Sequence, residues 1–238
     1  MDTAGLYKAL AWIEKNRKQV IYGVMAVLAI GLVVFFVTWK NSQKQVAAGQ
    51  TFSEVFAAQT AAGTNAAADP YLKVASQYPD SSAAQRALIL AATTLFTNGK
   101  YAEAQNLFEK FTREHRGSAL TGQALLGIAA SEEAQGKADL ALAAYKDIVD
   151  RRAGESILPQ AKFQLARLYE GKKDVKQAYD LYKDVSSSDP FGSIGDEASV
   201  RMKELEAKDP SLAPAPAASV SIAPAVTNAP KPATTEKK

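Results

Sequence analysis

The sequence contains no cysteine and only one histidine, His115. Without cysteine it can form no disulfide, no thiolate metal site and no cysteine nucleophile. With one histidine it can build neither a histidine metal cluster nor a catalytic pair that requires a second imidazole. His115 falls at the predicted end of a helix, where an imidazole caps the helix dipole or simply faces solvent. We therefore predict that the protein binds no metal and no other cofactor.

Motifs for phosphate binding and acid–base catalysis are also missing. A phosphate loop requires a glycine five residues before its Gly-Lys pair and a serine or threonine after it. The pairs Gly99-Lys100 and Gly136-Lys137 have neither. Carboxylates such as Glu132 and Glu133 are abundant, but no spacing singles out two of them as a catalytic pair. The sequence therefore predicts a protein that is not an enzyme.

The net charge of +3 is unevenly distributed along the chain. Residues 1–18 carry four basic and two acidic side chains, Lys40 adds one positive charge, and residues 209–238 add one more. The remaining residues, 41–208, therefore carry a net charge of −1. A nearly neutral domain lacks the basic surface that nucleic acids require, so we predict no nucleic-acid partner.

The longest apolar run lies near the N-terminus. No charged residue occurs from Gln19 to Trp39, and roughly 20 such residues in a helix cross a bilayer core. A buried core helix of this length normally keeps one polar stripe. A cleaved signal peptide has a shorter apolar run and an earlier cleavage site than Val46-Ala47-Ala48. We therefore predict an uncleaved transmembrane helix over residues 19–39.

The basic residues that flank this segment predict its orientation. Four of them precede it within residues 1–18, whereas only Lys40 and Lys44 follow it before Lys73. Because basic flanks are retained in the cytoplasm, we expect residues 1–18 to form a cytoplasmic lead. The bulk of the chain is then translocated across the membrane.

The rest of the chain repeats with a period of 37 residues. In each repeat a small residue, an aromatic residue four positions later and an apolar residue three positions after that share one helical face. The small positions are Ala67, Ala104, Ala141 and Ala178; the aromatic positions are Tyr71, Phe108, Tyr145 and Tyr182; the apolar positions are Val74, Phe111, Ile148 and Val185. Agreement in four units predicts the second helix of a repeated helical hairpin.

A preceding helix repeats in the same register. Its apolar positions are Ala91, Ile128, Leu165 and Met202, and its small positions are Ala92, Ala129 and Ala166. Gly99 and Gly136 fall in the turn between the two helices, with Gly171 near the equivalent place. Pro79 and Pro190 follow the second helix, where proline ends it.

These hairpins resemble the tetratricopeptide repeat family in the small, aromatic and apolar positions and in the glycine of the turn. The resemblance implies an all-α solenoid of helix–turn–helix repeats, which we assign to residues 40–208. A last helix over residues 196–207, with Val200, Met202 and Leu205 facing inward, is expected to close its end. Residues 209–238 contain six prolines and few large apolar residues, so we predict a disordered tail.

In such solenoids the first helix of each unit lines a concave groove that binds extended or helical peptides. The register assigns to this groove Arg86, Ile89, Thr93, Phe96, Gln123, Leu126, Glu133, Gln160, Phe163, Arg167 and Glu170. Among them Ile89, Leu126 and Phe163 form an apolar row. The alternative is that this row belongs to the core between helices, and the sequence leaves both interpretations open.

The layout as a whole resembles the ancillary Sec translocon subunit (YfgM-type) family. The resemblance lies in residues 12–18, Trp-Ile-Glu-Lys-Asn-Arg-Lys, in the apolar span that ends at Trp39, and more loosely in the repeats to about residue 207. It implies a bacterial inner-membrane protein whose periplasmic repeats contact the Sec channel, periplasmic chaperones or translocating clients.

A second resemblance points to a different function. Residues 77–83 together with residues 99–111 are similar to periplasmic envelope-coordination proteins and outer-membrane assembly lipoproteins, although a lipoprotein requires a cysteine that this chain lacks. This resemblance implies a structural scaffold that coordinates a cell-envelope assembly or division complex. The sequence leaves the translocon helper and the scaffold open.

Overall fold

The computed structural model describes residue 12, residues 14–151 and residues 156–213. Within these residues it contains nine α-helices, two short 3-10 turns and no β-strand. The α-helices are α1 (Arg17–Ala62), α2 (Asp69–Gln77), α3 (Ser82–Thr97), α4 (Tyr101–Glu114), α5 (Thr121–Ala134), α6 (Ala138–Arg151), α7 (Leu158–Gly171), α8 (Val175–Ser188) and α9 (Ser193–Lys208). The predicted all-helical fold is confirmed for this part of the chain.

The helices form a stack in which each one packs against the helix before it and the helix after it. We call α1, α3, α5, α7 and α9 the A helices, because they are the first helices of the hairpins, and α2, α4, α6 and α8 the B helices. The buried apolar side chains form three clusters that follow one another along the stack. Each unit therefore buries its apolar face only against its neighbours, as in a solenoid.

The repeated positions of the B helices form the centre of this core. Ala104, Ala141 and Ala178 have no exposed surface, so the backbones of neighbouring helices approach closely there. The aromatic and apolar positions of all four units are also buried. Burial of one large apolar side chain contributes about 1.5–3 kcal/mol, so these repeated positions dominate the packing energy.

The first unit departs from the predicted register at its small position. Ala67 is exposed and precedes α2, whereas its neighbour Ala68 is 7% exposed and joins the core. The reason is local: Pro70 lies in the first turn of α2, and the helix begins only at Asp69. Because proline is favoured in a first helical turn, the helix starts two residues too late to include Ala67.

The turns inside the hairpins repeat in conformation but not in residue type. Gly99 and Gly136 both adopt a φ of 76°, and the equivalent residue of the third turn is Lys173, with a φ of 63°. In the three turns the N–H of this residue donates to the carbonyl three residues earlier, at 3.0, 2.9 and 2.9 Å. Gly171, which the sequence suggested for this place, is instead the last residue of α7.

Replacing Lys173 by glycine is expected to stabilise the domain by about 0.5–1 kcal/mol, because glycine adopts a positive φ without the steric cost that a Cβ imposes. The neighbouring residue Lys172 has a φ of −82°, so Lys172→Gly is the matched control and is expected to destabilise. Thermal unfolding followed by circular dichroism measures both. Equal melting temperatures for the two variants would contradict the assigned turn.

Helix α1 is the least expected element, because it does not end where the predicted membrane segment ends. It runs for 46 residues without interruption, which corresponds to about 69 Å. Its N-terminal part is long and apolar enough to cross a membrane, with a mean hydropathy of 2.8 over an 18-residue window in which no residue is buried. Its C-terminal part packs against α2 and α3 and is the A helix of the first unit.

Specific contacts fix this C-terminal part of α1. Ala48 is completely buried, and the side chain of Gln45 donates to the carbonyl of Asp80 and accepts from the N–H of Ser82, both at 3.3 Å. The Thr51 and Tyr78 hydroxyl groups are 3.4 Å apart. The first repeat is therefore built on the same helix that carries the apolar segment.

The last helix, α9, is longer than residues 196–207 and faces the core with a different set of residues. Ala198 and Leu205 are buried and Met202 is half-buried, whereas Val200 is 56% exposed. The expectation that Val200 faces inward is corrected: residues 198, 202 and 205 share one helical face, and residue 200 lies on the opposite side. Leu212, in the turn Pro210–Leu212, packs against the last cluster. Residues 214–238, most of the predicted tail, lie outside the described residues.

Candidate protein-binding groove

The eleven predicted groove residues recur at one face of α3, α5 and α7, but they differ in burial. Four are exposed, namely Arg86, Thr93, Gln123 and Arg167, and five are half-buried, namely Phe96, Leu126, Glu133, Gln160 and Glu170. Ile89 and Phe163 are only 3% and 5% exposed. These two residues therefore belong to the core between helices, which was the alternative interpretation of the apolar row. The other nine residues keep surface that a ligand can reach.

The same register extends the predicted groove at both ends. Subtracting 37 from the numbers of the predicted residues on α3 gives Gly49, Phe52, Phe56 and Gln59 on α1. Adding 37 to those of Gln160, Phe163 and Arg167 on α7 gives Glu197, Val200 and Glu204 on α9. Phe56 is 46% exposed and Val200 is 56% exposed. We call the complete set the A-helix groove. These residues follow the same 37-residue step, but the sequence prediction gave no first helix to the unit of Ala67 and treated residues 196–207 only as a closing helix.

The two ends of the A-helix groove differ in chemistry. Near α1 it is aromatic, because the ring of Phe52 lies 6.1 Å from that of Phe56, and the ring of Phe96 lies 5.1 Å from that of Tyr101. Near α7 and α9 it is charged. An aromatic end can hold apolar anchor residues of a peptide, and a charged end can fix the register of its polar part.

A repeated Tyr–Glu pair joins the charged end to the core. The hydroxyl of Tyr145 donates to Glu133 at 3.4 Å, and the hydroxyl of Tyr182 donates to Glu170 at 3.1 Å, one repeat later. Arg167 lies between the two pairs, and its guanidinium is 3.9 Å from the Glu133 carboxylate. In the preceding unit the equivalent positions are apolar, with phenylalanine in place of both the tyrosine and the glutamate. Among the described units, the Tyr–Glu pair therefore occurs in the two units that contain Glu133 and Glu170.

Burial raises the pKa of both tyrosines, and the adjacent carboxylates of Glu133 and Glu170 raise it further. Arg167 lowers the pKa of both by a smaller amount, and Arg201 acts in the same direction on Tyr182. Each hydroxyl therefore keeps its proton in the folded state at a pH where an exposed tyrosine loses it.

The stability of the domain is consequently expected to fall as the pH rises above about 10, the usual tyrosine pKa. Below this pH both states hold the phenolic protons; above it only the unfolded state releases them, which favours unfolding. Urea titrations between pH 8 and pH 11 measure the effect. The double variant Tyr145→Phe/Tyr182→Phe should be less stable at pH 8 but lose less stability between pH 9 and pH 11. Parallel pH profiles for the two proteins would contradict the assignment.

A second polar cluster lies between α4 and α5. The amide of Gln105 donates to Glu109 at 2.9 Å and to Glu132 at 3.4 Å, and it accepts from Gln135 at 2.8 Å. Burial raises the pKa of the Glu132 carboxyl, and the positive charge of Lys137 partly offsets this rise. The cluster ties two units together. Among the described residues, no three acidic or histidine side chains are arranged to bind a metal ion.

Comparisons with known proteins agree with this architecture. A family described as "Tetratricopeptide repeat-like domain" matches residues 10–152, which is more than half of the chain. Two solved structures of kinesin light chain nearly identical TPR-like repeats from Podosopora anserina, one of them a single-site variant, superpose with TM-scores of 0.53 and 0.52 at 13% identity. In both, the alignment covers 68% of this chain and 88% of the other. At this identity the likeness concerns the fold alone. Among curated proteins, none matches the sequence significantly.

Proposed function

Because the chain belongs to the tetratricopeptide repeat-like domain family, whose members typically bind other proteins and are not catalytic, we propose that it is a membrane-anchored protein-binding module. Its anchor is the N-terminal part of α1, and its binding surface is the A-helix groove. The observation that carries this proposal is the continuity of α1. One helix supplies both the apolar segment and the first positions of the groove.

The apolar segment supports the anchor through its surface. Among the described residues from Trp12 to Trp39, fifteen large apolar side chains are more than half exposed, a surface far larger than the apolar patches of soluble monomers. Each leucine, isoleucine, phenylalanine or valine favours the centre of a bilayer by about 0.3–0.6 kcal/mol. The basic residues before the segment outnumber those after it, so the repeats lie on the outer, periplasmic side of a bacterial inner membrane.

The rigid connection also sets the height of the groove above the membrane. From Trp39 to Gly49 and Gln59 the helix rises by about 15 and 30 Å. A flexible linker would let the groove sample many orientations relative to the membrane. Here, contacts of Gln45, Ala48 and Thr51 hold helix α1 against α2 and α3. The groove therefore suits a polypeptide that is presented close to the membrane surface.

We propose that this partner is the Sec channel, a chaperone associated with it, or a client that emerges from the channel. The support is the resemblance of residues 12–39 to the YfgM-type family together with the short distance between groove and membrane. The second candidate is a scaffold for an envelope assembly or division complex, which the similarity of residues 77–83 and 99–111 favours. A translocon helper meets many clients, whereas a scaffold holds one partner in a fixed ratio.

In-cell crosslinking, followed by purification in mild detergent and mass spectrometry, separates the two candidates. Recovery of Sec channel subunits together with a spread of secreted proteins is the result expected for a translocon helper. Recovery of one envelope complex in fixed ratio, without Sec subunits, would replace this function by the scaffold.

Orientation is tested separately by protease added to intact spheroplasts. Residues 41–238 are expected to be degraded and residues 1–18 to be spared. Full protection of the repeats would contradict the proposed periplasmic location.

A further inference from the structure

The charged end of the A-helix groove carries an excess of negative charge. Its carboxylates belong to Glu133, Glu170, Glu197 and Glu204, and the guanidinium groups near them belong to Arg167 and Arg201. The two arginines already pair with Glu133 at 3.9 Å and with Glu204 at 3.4 Å. This end of the groove therefore has a net charge of −2, four carboxylates against two guanidinium groups, and attracts a basic segment.

An apolar side chain lies beside these carboxylates. Val200 is 56% exposed on α9, one repeat after the buried Phe163. In the inner units a neighbouring hairpin follows and helps to cover this row, whereas in the described part of the chain α9 is followed only by the turn Pro210–Leu212. The groove thus ends in one exposed apolar side chain that lies beside the carboxylates of Glu197 and Glu204 and beside the basic side chains of Arg201 and Lys203.

The sequence that follows the last turn has the complementary pattern. Residues 214–238 carry Lys231, Lys237 and Lys238 against the single acidic residue Glu236, a net charge of +2. Its only large apolar side chains are Val220, Ile222 and Val226. Val220 and Ile222 are spaced by two, so in an extended chain they would point to the same side.

Residues 214–238 are attached close enough to Val200 to reach it within the same chain. Leu212 packs against the core formed by α7, α8 and α9, so the following residues leave from the same end of the solenoid that carries Val200. From Ala213 to Ile222 an extended chain spans up to about 30 Å. From Lys208 back to Val200 the helix measures only about 12 Å. A tethered segment of this length has a millimolar local concentration at the groove.

We propose that residues 214–238 bind the charged end of the A-helix groove of their own chain, with Ile222 against Val200 and the lysines near Glu197 and Glu204. This inference rests on the proposed function only in that the groove is a peptide-binding surface. A basic segment of a partner protein is expected to compete for the same positions.

The absence of cysteine from the sequence gives a direct test on the full-length protein purified in detergent. The pair Ile222→Cys/Val200→Cys should form a disulfide under mild oxidation. The control pair is Ile222→Cys/Lys176→Cys. Lys176 is 81% exposed in the first turn of α8, at the same end of the hairpin as the last residue of α9. The control cysteine is thus no farther from the attachment point but lies outside the groove.

The groove pair is expected to close at least about tenfold faster than the control pair, because a bound segment spends most of its time near Val200. High salt and the substitutions Lys237→Glu/Lys238→Glu should remove most of this difference, since the attraction is partly electrostatic. Equal rates for the two pairs at low salt would overturn the proposal. If Val200→Cys unfolds the last helix, as circular dichroism would reveal, the pair Ile222→Cys/Glu197→Cys takes its place. The measurement needs no partner protein, so its failure leaves the proposed function untouched.

Discussion

Replacing Ala104 by arginine is expected to lower the free energy of unfolding by roughly 3–5 kcal/mol, enough to unfold a marginally stable domain. Ala104 has no exposed surface and lies where α4 meets the helices on either side of it. An arginine there brings a large side chain into a space that holds one methyl group, and its charge finds no partner in the core. Urea unfolding followed by circular dichroism measures the loss.

The same helix offers a matched control. Ala102 lies two residues earlier in α4 and is exposed, so Ala102→Arg makes the same chemical change at a surface position. We expect a change within about 0.5 kcal/mol for this variant. Similar destabilisation by Ala102→Arg and Ala104→Arg would show that the repeat register is misassigned.

Two aspartates in the apolar part of α1 are expected to abolish membrane association. Leu28 and Leu32 are 62% and 68% exposed and lie one turn apart on the same face of the helix. An aspartate at the centre of a bilayer costs about 2.5–3.5 kcal/mol, so the double variant Leu28→Asp/Leu32→Asp loses most of the energy that holds the segment in the membrane. The fraction of the protein that resists carbonate extraction should fall from nearly all of it to a small part.

A control with the same spacing lies farther along the same helix. Ser42 and Val46 are exposed and lie beyond Lys40, so Ser42→Asp/Val46→Asp adds the same two charges outside the apolar segment. This variant should remain in the membrane. Equal extraction of both variants would exclude the N-terminal part of α1 as the anchor.

The B helices were predictable because the sequence carries their packing directly. Ala104, Phe108 and Phe111, with their counterparts in the other units, must be small, aromatic and apolar for neighbouring helices to pack, and these constraints repeat. The departures are local. Pro70 delays the start of α2 and so leaves the preceding alanine outside the helix. The turn after α7 uses Lys173, because the hydrogen bonds of the helix end tolerate a left-handed residue other than glycine.

Helix α1 was harder to assign because its two parts face different surroundings. An apolar run followed by Lys40 and Lys44 indicates where a membrane segment ends, but charged residues do not break a helix. Nothing in the sequence between residues 40 and 49 acts as a helix stop, and the contacts of Gln45 and Ala48 that hold the helix on α2 and α3 exist only in the folded domain. For this reason the two phenylalanines of α1 were absent from the predicted groove.

The groove illustrates what a register can and cannot specify. It placed Thr93 and Arg167 on an accessible face, because helical periodicity alone decides which residues share a face. It could not separate Ile89 and Phe163, which are buried, from Leu126, which is half-buried. The difference depends on how far each A helix is covered by the next hairpin, which is a property of the whole stack.

Site-specific photo-crosslinking in cells tests whether this protein binds others through the A-helix groove. A photoreactive residue is placed at Thr93 or Arg167 in the groove, and at Lys110 or Lys176, which are exposed on the B helices. We expect strong crosslinks to a defined partner from the two groove positions and little from the two B-helix positions. Crosslinks of equal strength from both sets, or from the B helices alone, would contradict binding through the groove.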